Sequence, residues 1–208
     1  MGCQCDSFDA VNIDEFLPYV LPSIQGLPVE IAAHQLRMAA ITFARATQAL
    51  TRTLFVDGQC GLCTVNLEVP DCYSILSVES VAVGGCKLTV HRGGPEKIPS
   101  RGFFYEHPGW LYLGSALPEC PRALEATVVV VPGQDSCKID RALYDTYSDA
   151  IADGALERMY LMKSAPWFDV QLANIHGRKF KSAISDAGAL VAKGRVSAPL
   201  MIKVPRFV

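Results

Sequence analysis

The apolar positions fall into three regimes along the chain. From Val29 the spacing is helical: Ile31, Ala32, Leu36, Ala39, Ala40, Phe43, Ala46 and Leu50 recur at intervals of three and four, and Pro28 suits a first helical turn. Thr47 interrupts the stripe, and Glu30, His34, Arg37 and Arg45 hold the polar face. Upstream, residues 1–13 read as a loose arm, and Asp14 to Leu17 start a short helix or turn limited by Pro18 and Pro22. From Thr51 the period changes to two. Segments 51–56 and 63–69 read as a hairpin through Asp57-Gly58, and 75–83 with 87–91 as a second through Gly84-Gly85. Segments 103–105 and 110–113 flank a His107-Pro108-Gly109 turn, and 124–131 is a further strand. Five to seven short strands of this kind are enough for a small antiparallel sandwich or barrel.

Helical periodicity returns at Asp140, which suits an N-cap. Leu143, Tyr144, Tyr147, Ile151, Ala155, Leu156 and Met159 share one stripe, and Ser164-Ala165-Pro166 ends it. Trp167-Phe168-Asp169 opens another helix, with Leu172, Ala173, Ile175, His176, Phe180, Ile184, Ala187 and Leu190 expected to face inward. The order predicts an α+β fold: a helical bundle of three to four helices with an inserted small antiparallel β domain and an extended C-terminal tail. The expected parts are an arm and helix over 1–50, a β-rich insertion over 51–138, a helical hairpin over 139–194 and a docking tail over 195–208.

Composition narrows the function classes. Half of the 208 residues are apolar and 19% are charged, so a sizeable core can be buried. A net charge of -2 argues against a general nucleic-acid binder. No apolar run approaches the ~18 residues of a membrane-spanning helix, and the N-terminus lacks the basic and apolar regions of a secretory signal. The charge is uneven, +6 over residues 170–208 and -8 over the rest, which suits head-to-tail contact between copies or docking on an acidic partner.

Eight cysteines without an export signal read as reduced thiols. Cys60 and Cys63 have CxxC spacing, but strand-like segments flank them where a redox pair would open a helix. A zinc-stabilised binding module using Cys60, Cys63, Cys72 and Cys86 is the alternative reading. Catalytic patterns are missing: no phosphate loop, no GxSxG elbow, and four histidines in four separate segments. Asp145, Asp149 and Asp153 form an acidic stripe that reads as a solvated or interface face rather than a metal site. The expectation is a protein that is not an enzyme and needs no cofactor.

Three segments carry a family resemblance. The stretch from Leu27-Pro28-Val29 through Ala39-Ala40-Ile41-Thr42-Phe43-Ala44-Arg45-Ala46-Thr47 resembles the first helix of the head-to-tail adaptor (connector, head-completion) proteins of tailed bacteriophages. Tyr147 to Met159, with Gly154-Ala155-Leu156, is similar to that family's helix of Ile-Ala, Gly-Ala-Leu and Arg pattern, and Pro166-Trp167-Phe168-Asp169 followed by Leu172-Ala173 and Phe180 is similar to its proline–tryptophan step and following helix. The resemblance implies a structural virion protein of the neck, assembled in the host cytoplasm. It implies a ring of twelve copies that binds below the portal protein, extends the channel for passing genomic DNA and docks tail or nozzle proteins, with no membrane partner. By the same resemblance, Leu200, Met201, Ile202, Lys203, Val204, Pro205, Arg206, Phe207 and Val208 form a portal-docking tail. Asp149, Asp153, Gly154 and Trp167 are the expected ring or bundle contacts. The many cysteines and the long β region depart from the family pattern.

Overall fold

The computed structural model describes residues 9–57, 63–118 and 122–194. The chain begins with β1 (Ala10–Asn12) and a 3-10 turn over Ile13–Tyr19, where the Asn12 side chain accepts the Asp14 N–H and Phe16 is buried. Helix α1 (Val29–Thr47) starts behind Pro28 and stops at Gln48, a left-handed residue whose N–H reaches the Ala44 carbonyl. Its buried residues are Ala32, Leu36, Ala39, Ala40, Ile41, Phe43, Ala44 and Thr47. The Thr47 hydroxyl donates to the Phe43 carbonyl at 2.8 Å, so a polar residue sits in the stripe at little cost.

The strands follow as β2 (Thr51–Val56), β3 (Thr64–Asn66), β4 (Tyr73–Val83), β5 (Cys86–Lys87), β6 (Thr89–Val90), β7 (Gly102–Glu106), β8 (Trp110–Leu113), β9 (Leu124–Pro132) and β10 (Lys138–Asp140). One four-stranded sheet has the order β2-β9-β4-β5, a second β3-β8-β7-β6, and β1 pairs with β10 in a ribbon. Helices α2 (Arg141–Tyr160) and α3 (Val170–Ala192) complete the chain. Asp140 caps α2 through the Ala142 N–H, and Asp169 caps α3 through the N–H groups of Gln171 and Leu172.

The fold is α+β, but it is not a helical bundle carrying a small inserted β domain. A separate insertion would keep its own core. Here one contiguous set of buried side chains joins Leu36 and Phe43 of α1, Ile151 and Met159 of α2, Val128 and Val130 of β9, and Phe103 and Leu111 of the second sheet. The cause is β9, whose Val128, Val129, Val130 and Val131 are all buried. A strand without a solvent face must be covered on both sides, and α1 packs on it.

Pairing also differs from the expected hairpins. Segments 51–56 and 63–69 do not pair with each other: β2 runs antiparallel to β9 (Thr51↔Val129 to Val56↔Leu124), and β3 to β8. The long apolar β9 accepts a neighbour on each edge, which outweighs the local turn signal. The Gly84-Gly85 turn forms, with φ of 54° and 80°, but it joins only two residue pairs. Thr89 and Val90 then cross to pair in parallel with β7. The β7–β8 hairpin forms as expected, around a cis His107-Pro108 bond. Residues 10–12, expected in the loose arm, are the strand β1. Cys72 and Cys137 are each disulfide-bonded, which corrects the reading of all thiols as reduced.

Candidate functional site

The helical layer is where the three resembling segments meet, because they are α1, α2 and the start of α3. Small residues set the spacing between α2 and α3. Gly154 is buried, and a Cβ there would stand 2.8–2.9 Å from three ring atoms of Phe180. Gly177 in turn faces the side chain of Glu157 closely. Gly154 therefore serves contact within one molecule. Phe180 also reaches the Phe43 ring of α1 at 6.2 Å, so one side chain ties the three helices together.

The acidic stripe does not act as a unit. Asp153 accepts a hydrogen bond from His176 Nδ1 at 2.6 Å, and the Tyr160 ring stacks on that imidazole at 5.7 Å. The Tyr160 hydroxyl donates to the Ser23 carbonyl; burial, then the charge of Asp169, raises its pKa. Asp145 and Asp149 are exposed. Trp167 is half-buried against the core, with its indole N–H shielded from solvent and unpaired. Beside it lies a shallow hollow of about 370 Å³ lined by Tyr160, Trp167, Phe168 and Leu172, among others.

Helix α3 corrects the expected inward face. Ala173, Gly177, Phe180 and Ala187 are buried, whereas Leu172, Ile175 and Leu190 are 37%, 43% and 38% exposed. With Leu161 and Phe168 they leave an apolar outer surface at the α2–α3 turn and along α3. The docking tail Leu200 to Val208 lies outside the described residues.

Sequence reasoning missed an arginine groove along α1. It holds about 490 Å³ and is lined by Met38, Ile41, Thr42, Arg45, Ala46 and Gln134. Arg37 donates to the Gln134 carbonyl at 3.4 Å, and its Nε is shielded without a partner. Arg158 of α2 donates to Thr42 Oγ1 at 2.7 Å. Arg37 and Arg45 were legible as polar-face positions. The arrival of Arg158 depends on how α2 crosses α1, which no local pattern encodes.

A buried polar cluster joins the layers. Asp140 pairs with Arg52 of β2 and accepts the Tyr73 hydroxyl at 3.2 Å. Burial, reinforced by the Asp140 charge, pushes the Tyr73 pKa well above its ordinary value. Of the four cysteines weighed for zinc, Cys60 lies outside the described residues, Cys63 and Cys86 are exposed, and Cys72 is disulfide-bonded. A disulfide sulfur is not a thiolate ligand, so that set of four is not available as it stands. No group of three or more His, Cys, Asp or Glu placed to hold a metal occurs among the described residues. No helix among them is long and apolar enough to cross a membrane. Comparison with protein-family models and with curated proteins returns no match.

Proposed function

We propose that the chain is a structural head-to-tail adaptor of a tailed phage, acting by shape and adhesion without catalysis. Twelve copies form a ring below the portal, line the path of the genomic DNA in the virion neck and offer a seat to tail or nozzle proteins. The observation that carries this reading is the convergence of the three resembling segments in one helical layer. Gly154 meets Phe180, the Pro166-Trp167 step packs at the α2–α3 turn, and α1 lies against both helices. Large apolar side chains left outside, among them Leu172 and Ile175, supply adhesive surface beyond what a monomer needs.

Electron microscopy of the purified protein, with and without portal, tests the reading. Rings of uniform copy number on the portal are the expected image. Removal of residues 197–208 should abolish portal attachment and leave the thermal unfolding transition in place. Full attachment by the shortened chain would remove the tail from the docking role.

A further inference from the structure

We infer that the arginine groove on α1 is one half of the contact between copies, and that the other half is the exposed Asp149 flank of α2 in the next copy. The inference rests on the ring reading and names the surfaces that would close it. Three guanidinium groups gather around the groove. Arg45 lines it, and Arg37 and Arg158 each bond to one of its lining residues, Gln134 and Thr42. Asp135 stands next to Gln134 in the chain, yet none of the three arginines is in an ion pair among the described residues. Arg37 Nε is moreover shielded from solvent with no acceptor. Among side chains, a carboxylate satisfies a guanidinium best.

The complement lies on α2, on the flank opposite Arg158. Asp149 and Arg158 are nine residues apart on α2, beyond the non-helical Tyr147, so at 3.6 residues per turn they point about 180° apart. Arg158 meets α1, whereas Asp153, one turn after Asp149, meets α3. Asp145 and Asp149 are exposed, and neither is in an ion pair among the described residues. Complementary surfaces on different flanks make a head-to-tail contact, which repeats around a ring when the rotation closes. The walls decide between protein and nucleic acid as occupant. Met38, Ile41 and Ala46 give the groove an apolar floor suited to side chains around a carboxylate rather than to a phosphodiester backbone.

Charge reversal on the full chain tests the pairing, read by light-scattering mass and by ring formation on the portal. Arg45 and Asp149 are both exposed, so R45E and D149K should keep the wild-type unfolding temperature. Each alone should weaken self-association about tenfold or more, and the double variant R45E/D149K, with both charges exchanged, should recover it. Rings on the portal from wild type and both single variants alike would overturn this contact and leave the ring reading standing. A folded double variant that stays apart would do the same. A wild type that never associates, with or without portal, would overturn both. Duplex DNA retained by the wild type and lost by R45E, with assembly unchanged, would assign the groove to nucleic acid instead.

Discussion

At the scale of single residues, two glycines in the same helical layer predict opposite outcomes. Gly154 has Phe180 where a Cβ would go, at a distance real side chains do not adopt. Gly154→Ala gains up to about 1 kcal/mol of helix propensity but overpacks the α2–α3 contact, which costs about 1–3 kcal/mol. The net should be a lower unfolding temperature. Gly188, in α3, has open space around the same position, so Gly188→Ala should keep the propensity gain and raise that temperature. Calorimetry of the two variants beside the wild type decides the matter; equal shifts would mean that α2 and α3 do not pack at this spacing.

The elements meet at Asp140, which ends β10, caps α2, pairs with Arg52 of β2 and receives the hydroxyl of Tyr73 from β4. The raised Tyr73 pKa makes this junction sensitive to alkali. A group that binds its proton more tightly when folded stabilises the fold fully below its unfolded pKa, near 10 here. That contribution drains as pH rises from there through the higher folded value. Tyr73→Phe should therefore lose about 1 kcal/mol at neutral pH, from the missing hydrogen bond, and show a shallower decline in stability above pH 10. An unchanged alkaline slope would take Tyr73 out of the junction's titration. The elements themselves were largely legible: α1 from its stripe, α2 from its cap, β9 from its valines. Strand partners were not, because a period of two states which side a residue faces and not which strand lies alongside. The α3 face was misread for a different reason. The inward stripe is mostly Ala and Gly around Phe180, and large apolar residues also occur on surfaces, so Leu172 and Ile175 drew the predicted face outward. The candidate site divided the same way: Arg37 and Arg45 could be placed on a polar face, but Arg158 and the His176 partner of Asp153 come from other turns of the chain.

For the molecule as a whole, cross-links and a shared core act together. The disulfides at Cys72, just before β4, and Cys137, just before β10, restrict the unfolded chain. Reduction should cost about 2–4 kcal/mol per broken cross-link and lower the unfolding temperature visibly. A transition that ignores reductant would show that the bonds carry no stability in solution. The continuity of the buried cluster has a mechanical corollary. Load arriving on the β2-β9-β4-β5 sheet reaches α1 directly through the buried valines of β9, and α2 and α3 through the shared core. A molecule so constructed transmits strain as a stiff strut, and in the proposed ring motion would concentrate at the seams between neighbours.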